Sequence, residues 1–475
     1  MRHKFIHDIS ANTLQVAINQ GCGLLIFYIL SLGLGKDLFG ELNWTLAVLL
    51  TLFGILSFGI DQVAVRKIAA GGPAHLLLSV YLTHVVVWGL GVYAILALAH
   101  GIFPHFFAQH HLLIWIAIGK LGIFMASPFK QIANGLEQFK ALLYMATFSN
   151  ILRSVALVVL YLLGHCTMEN VVWVFILGDI AEWLLCYAVV RWHLRVSVTL
   201  SFHLQAYRAL IKEAAPQLLS VILTTGLARL DWILIGFFCT TGIVANYSFA
   251  WKAFEATTLP LLILGPVLLT RFSKIFAQAD KQPAVAPMRP LMALLRIEMA
   301  VASGSALLLN LLWVPLIDSI THGSYGAVNS TTIFLLSLSL PLLYLNNFLW
   351  TINFAHHRMK RILTIVAITF VVNAGANLLL IPPYEGAGAA AAFLAATLIQ
   401  ALLYAVPTPL VIPKTNWLPV LMAPAAALVA GFGAQYFFVH TAAIISTALA
   451  FYLLLLLALG QVKREDGQLL RRGGQ

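Results

Sequence analysis

The sequence predicts an all-α polytopic membrane protein of about fourteen transmembrane helices. Two pseudo-symmetric six-helix lobes are followed by two C-terminal helices. Three observations carry this expectation. Of 475 residues, 61% are hydrophobic and only 9% charged, against roughly 25% charged in ordinary globular domains. Apolar runs of about 20 residues, long enough to cross a bilayer as a helix, recur along the whole chain. Lys and Arg cluster in every second connection, the signature of a fixed orientation in the membrane. A soluble core stops growing near roughly 250–300 residues; a bilayer removes that limit.

The helices are expected at 12–34, 42–60, 76–100, 111–133, 141–163, 170–190, 214–238, 244–270, 291–314, 328–354, 361–381, 387–410, 418–438 and 441–460. With the N-terminus inside, one set of connections holds 22 of the 28 basic residues, from Arg2 and Lys4 through Arg66, Lys67 and Lys130 to Arg471 and Arg472. The opposite set holds only Lys36. Both termini are therefore expected in the cytoplasm, which requires an even number of helices. The net charge of +11 then reads as membrane topology, and no nucleic-acid partner is expected. The start "MRHKFIHDISAN" is basic, but the apolar run behind it is too long for a signal peptide and lacks a small-x-small cleavage site. It reads as an uncleaved first helix. The cysteines Cys22, Cys166, Cys186 and Cys239 show no ligand spacing. Cys166 and Cys239 both fall on the outer side of this topology, where a disulfide is open to them; free thiols are the expectation.

The stretch "RWHLRVSVTLSFHLQAYRALIKE" is basic and partly apolar, and reads as an interfacial segment. It divides an N-lobe (1–190) from a C-lobe (214–410), itself spanning 191–213. Residues 411–475 add two helices and a basic tail. The halves echo one another. Asn150 and Tyr161 stand eleven apart, as do Asn373 and Tyr384. "LLCYAVV" closes helix 6 and "LLYAVPT" closes helix 12; "FGELNWTLAV" and "VANYSFAWKA" enter helices 2 and 8. Together these point to a duplication with both copies in the same orientation, the parallel-repeat arrangement of some transporters.

Ten ionisable residues lie inside the spans: Lys120, Arg153, Asp179, Glu182, Arg229, Asp231, Lys252, Glu255, Arg296 and Glu298. Each costs about 2.5–3.5 kcal/mol at a helix centre on insertion scales. They are therefore expected to face one another or a water-filled cavity. Spacing says which can pair, because residues three or four apart share a helix face. Lys252 and Glu255 can pair within helix 8. Asp179 and Glu182 share a face, repel, and need a cation from elsewhere, for which Arg153 of helix 5 is the natural candidate. Arg229 and Asp231 diverge by about 200° at 100° per residue and must seek different partners. Taken singly, each charge also reads as a structural ion pair; the set points to a transport pathway. Arginine suits phosphate or carboxylate, since its fork binds both oxygens and stays charged.

Other signals are weaker. His100, His105, His110 and His111 fit an interfacial loop better than a metal site. "GAGAAAAF" has the small-residue spacing of close helix packing. Gln15, Asn19 and Gln20 place amides in helix 1, for inter-helix hydrogen bonds or cavity lining. The outer loops are short, the longest being "PLIDSITHGSYGA". No domain is left for soluble catalysis, so a transporter rather than an enzyme is expected, with no cofactor.

"GLARLDWILIGFFCTTGIVANYSFAWKAFE" resembles the seventh and eighth helices of polysaccharide-unit (O-antigen type) flippases. "NGLEQFKALLYMATFSNILR" resembles their fourth-to-fifth connection, and "NAGANLLLIPPYEGAGAAAA" their eleventh-to-twelfth. "LGLGKDLFGELN" and "FGIDQVAVRKIA" fit too, so the resemblance covers helices 1–12. The family belongs to the multidrug/oligosaccharidyl-lipid/polysaccharide (MOP) exporter superfamily. The resemblance implies two six-helix lobes around a central cavity in the bacterial inner membrane. It implies alternating-access transport of undecaprenyl-pyrophosphate-linked oligosaccharides, with membrane lipids, a glycan polymerase and other export machinery as partners. On that reading Lys120, Arg153, Arg229, Lys252 and Arg296 are the cavity cations that bind substrate. Asp179, Glu182, Asp231, Glu255, Glu298, Asn373 and Asn377 are the polar residues available for ion coupling to a Na+ or H+ gradient. A sodium site described for lipid II flippases maps onto Asp231, Asn373 and Asn377, with an amide at the last position where an acid is expected. The chain also departs from its relatives: helix 1 lacks both the arginines of lipid II flippases and the acid of many multidrug antiporters. A cation-coupled drug antiporter, using Asp231 and Glu255 as carriers, is the alternative. A membrane glycosyltransferase or polymerase is less well supported, given the short outer loops.

Overall fold

A computed structural model describes residues 2–200, 203–261, 288–355, 358–405 and 418–461, and structural statements below concern these. The described chain is helical throughout and divides into two compact units, 1–245 and 246–475. Among the described residues, twelve helices are long and apolar enough to cross a membrane.

The first unit holds α1 (Arg2–Gly33), α2 (Lys36–Leu56), α3 (Ile60–Ala69), α4 (Ala74–Ile102), α5 (Pro104–Gln109), α6 (Leu112–Gly135), α7 (Phe139–Leu162), α8 (Met168–Ala188) and α9 (Leu204–Phe238). Helix α6 is its hub and packs against α2, α3, α4, α7 and α8, while α1 packs along α7. Between lipid-facing helices there is little hydrophobic drive to associate, so close packing must supply the adhesion. Gly119 and Gly122 of α6 meet that need: each lies against Asp179 of α8, and a Cβ on Gly119 would sit 2.8 Å from the carboxylate. A core of Ile68, Leu78, Phe129, Met145 and Cys186 fills one end of the unit. Phe58 (φ 52°) and Gly59 (φ 73°) take left-handed conformations that end α2 and redirect the chain into α3.

The boundary between units falls in the first turns of α10 (Thr241–Thr257). The second unit continues with α11 (Met288–Ile320), α12 (Ser330–Ala355), α13 (Met359–Ala405), α14 (Leu418–Phe437) and α15 (Thr441–Ala458). Helix α12 packs against α11 and α13, and α14 and α15 pair with each other and with α11. The core is built from residues such as Leu295, Met299, Phe348, Ile352, Ala423 and Ala430. Helix α13 is two helices. Glu385 stands at φ 52°, ψ −129°, and breaks it into legs 359–384 and 386–405. The adjacent Pro382 and Pro383 remove two backbone donors from the first leg. A Cβ on Gly388 would collide with the carbonyl of Leu380, so only glycine lets the second leg pass so close to the first.

These legs are the helices expected at 361–381 and 387–410. The other twelve expected helices all have counterparts; α10 is described over 17 residues, and the expected helix 8 beyond 261 lies outside the described residues. So do the connections bearing Arg271, Lys274, Lys281 and Lys414. The start of α9 differs from expectation. It begins at Leu204, so residues 204–213 of the expected interfacial stretch are its opening turns. Leu204 to Glu213 contains no Gly or Pro to interrupt a helix, and Glu213 ties them down through Arg66 (3.1 Å) and Lys67 (2.7 Å) of α3. All four cysteines are free thiols.

Candidate functional site

Inside the first unit lies a polar cavity of about 650 Å³. Its walls come from α1, α2, α6, α7 and α8, and include Gln15, Asn19, Lys120, Lys130, Arg153 and Glu182. The helix-1 amides Gln15 and Asn19 thus line a cavity, one of the two roles expected of them.

The charges form a lattice. Arg153 of α7 reaches α8 with both ends of its fork, placing Nη1 2.8 Å from Asp179 Oδ1 and Nη2 3.5 Å from Glu182 Oε2. This is the cross-helix pairing that the spacing of the two acids demands. Two lysines of α6 complete it. Lys120 Nζ lies 2.7 Å from Asp179 Oδ2, and Lys130 binds Glu182 directly. Ser149 donates to Glu182 and accepts from Arg153 Nη2 at 2.8 Å. Arg153 Nη2 also donates to Asn150 Oδ1 (3.2 Å), whose Nδ2 donates to Asn19 Oδ1 on α1 (2.8 Å). Phe175 lies beneath Lys120 and Arg153, with its ring centre 5.2 and 5.8 Å from them. Lys120, Arg153, Asp179 and Glu182 are 4%, 6%, 0% and 3% exposed. Buried charges persist only when paired and hydrogen-bonded, and each of these is. Gly178 makes room, since a Cβ there would stand 2.7 Å from Arg153 Cγ.

Lys130 is the residue that sequence reasoning misses. It lies inside the helix expected at 111–133, yet near enough its end to be counted with the cytoplasmic positive charges. Its shared helix with Lys120 was the available signal. The lattice sets three cations against two carboxylates. One formal positive charge is left over, in a cavity with water-sized space. Such a site suits an anion.

The remaining expected residues lie elsewhere. Asp231 of α9 is buried, its Oδ1 accepting from the Trp232 amide at 2.9 Å; Arg229 is half-buried two residues earlier. Lys252 and Glu255 of α10 pair at 2.7 Å, as i,i+3 spacing predicts. In the second unit Asn377 donates to Asn373 at 3.1 Å. The expected sodium ligands Asp231, Asn373 and Asn377 therefore fall in different units. Arg296 and Glu298 sit on α11; Glu298 is 2% exposed and neither carboxylate oxygen has a hydrogen-bond partner. Of the loop histidines, His110 packs against Trp44 with ring centres 4.2 Å apart and the planes tilted by 33°, and burial pushes it below the usual imidazole range. His111 Nδ1 lies 3.5 Å from Glu41. No group of three or more His, Cys, Asp or Glu side chains able to hold a metal occurs among the described residues.

Residues 5–276 match the family described as polysaccharide biosynthesis protein. No curated protein matches the sequence. The fold is that of MOP transporters. A lipid II flippase, MurJ, in an inward closed conformation is 15% identical with a TM-score of 0.73, covering 95% of this chain and 98% of that one. An inward-facing multidrug resistance MATE transporter is 14% identical with a TM-score of 0.63, covering 88% and 98%. A MOP transporter from Pyrococcus furiosus, described as having a binding pocket of reverse polarity, is 14% identical with a TM-score of 0.54, covering 89% and 94%.

Proposed function

The chain belongs to the polysaccharide biosynthesis protein family, and from that premise we propose that it flips undecaprenyl-pyrophosphate-linked oligosaccharide units. These would be precursors of O-antigen, exopolysaccharide or a related glycan, moved from the cytoplasmic to the outer leaflet by alternating access. The observation that supports this most is the cation-rich cavity of the first unit. A pyrophosphate headgroup brings negative charge and sugar hydroxyls into the membrane, where an apolar pathway would reject both. Lys120, Lys130 and Arg153 supply the charge complement, and Gln15, Asn19, Gln131, Asn134 and Asn150 supply amides for hydroxyls. The carboxylates hold the cations in place and leave one positive charge uncompensated. Arg229, Lys252 and Arg296 are further proposed substrate contacts. Ion coupling is assigned to the remaining acids, with Asp231, Asn373 and Asn377 as the proposed sodium ligands. The proposed setting is the bacterial inner membrane, with both termini cytoplasmic and a glycan polymerase receiving the product.

Lys130→Gln tests this reading, because Glu182 keeps Arg153 and Ser149 and the lattice stays paired. Export of lipid-linked glycan, measured at verified protein levels, should fall by about ten- to a hundredfold, the worth of one charge-assisted hydrogen bond. Wild-type export would remove the cavity from the mechanism. Likeness to a multidrug transporter favours a second reading, cation-coupled efflux of small molecules. The excess of cations in the cavity argues against positively charged drugs. Efflux of such drugs from proteoliposomes under an ion gradient would establish that reading instead.

A further inference from the structure

The two acids of the cavity lattice and one buried acid of the second unit are treated differently. Asp179 and Glu182 are each held by two cations. Glu298, equally buried within the span Leu291–Ile320, has no hydrogen-bond partner for either oxygen among the described residues. Leu294, Leu295 and Ala302 share its helix face; Leu295 and Ala302 are fully buried, and Leu294 packs on the apolar core. An ionised carboxylate in such a place is so costly that the group neutralises instead.

Among the described residues, few groups could neutralise it. Helix α11 packs against α12, α14 and α15. From α12 the titratable neighbour is Tyr344, an uncharged phenol whose Oη is 3.5 Å from the Thr257 carbonyl. The titratable groups of α14 and α15 are Tyr436, 84% exposed, and Tyr452, which donates to the Ala300 carbonyl at 2.8 Å. On α11 itself Arg296 stands two residues away and points about 200° around the helix. Lys252 of α10 is taken by Glu255. A hard metal cation would need about six oxygen ligands, and Glu298 with one phenol does not provide them. A proton needs only the carboxylate.

We propose that Glu298 is a proton-binding site of the second unit, neutral while buried and ionising when a conformational change opens it to water. The consequence rests on the transporter reading: conformations that bury Glu298 take up one proton, and conformations that hydrate it release one. A pH difference across the membrane then biases the exchange between them. The site is separate from the anion cavity, whose acids stay charged to hold its cations.

Infrared spectroscopy of the purified full-length protein in lipid tests the site without substrate. The wild type at neutral pH should show the carbonyl band of a protonated carboxylic acid, and Glu298→Gln should lose that band. The amide copies the neutral acid, so the variant should be recovered in wild-type yield. Failure of Glu298→Gln to fold, with no protonated-acid band in the wild type, would show that a charge is required and overturn the proposal. So would a spectrum unchanged by the substitution. In proteoliposomes, Glu298→Gln should abolish the response of substrate translocation to an imposed pH gradient; a preserved response overturns the coupling. If the wild type moves no lipid-linked glycan at all, the substrate assignment fails while the spectroscopic result stands.

Discussion

The two units solve one problem, polar groups inside a membrane, in opposite ways. The first concentrates charge: five ionisable side chains from α6, α7 and α8 meet around a cavity, each in contact with a neighbour of opposite sign and together carrying one positive charge in excess. The second disperses it. A cavity between α11, α12 and α14 is walled mainly by apolar residues such as Leu307, Leu311, Ile333, Phe334 and Leu428, and the buried acid Glu298 has no hydrogen-bond partner among the described residues. A charged lattice is rigid, because every member depends on the others; a lone acid depends only on its proton. The first arrangement suits holding a ligand, the second suits responding to a gradient.

The sharpest way to break this contrast is to delete a charge from each side. Arg153→Leu leaves Asp179 and Glu182 each with one lysine and should destabilise the protein by about 3–5 kcal/mol, the cost of breaking a buried pair. Glu298→Leu removes a group with no hydrogen-bond partner among the described residues and should be neutral or mildly stabilising. Thermal unfolding in one detergent compares them directly, and equal losses would erase the distinction. Glycines at close approaches come next. Gly388→Ala drives a methyl into the Leu380 carbonyl, which cannot move aside without unwinding the first leg of α13. Gly178→Ala meets only the flexible stem of Arg153. Overpacking costs typically about 1–3 kcal/mol; Gly388→Ala should lie at the upper end and Gly178→Ala at the lower, though the latter should also weaken export. Least is expected of Lys252→Ala, whose side chain and partner are 23% and 41% exposed. A half-exposed pair of this kind is worth at most about 1 kcal/mol, so a larger shift in melting temperature would mean that Lys252 has another task.

Most of the fold is legible in the sequence, because length and apolarity decide what a bilayer accepts and both are local properties. Even the break in α13 shows as "IPPYEGAG". The start of α9 does not: residues 204–213 are amphipathic and basic, a pattern that a surface segment and the end of a long helix share. In the site, i,i+3 spacing is enough to place Asp179 and Glu182 on one face and ask for Arg153. It cannot place Lys130, since a lysine near a helix end serves topology and chemistry alike. Nor can it bring Asn19 to Asn150, a contact between helices far apart in sequence.

The turn at Glu385 bears on how the protein is made. One residue is the whole connection between two apolar legs, and no polar segment separates them that could rest in water while the second is synthesised. The legs must therefore enter the bilayer as a single hairpin, already paired. Lengthening that connection, with a few glycines after Glu385, should leave the finished structure nearly intact yet uncouple the two insertion events. The turn that looks like a detail of backbone geometry in the folded protein is, for the nascent chain, an instruction about timing.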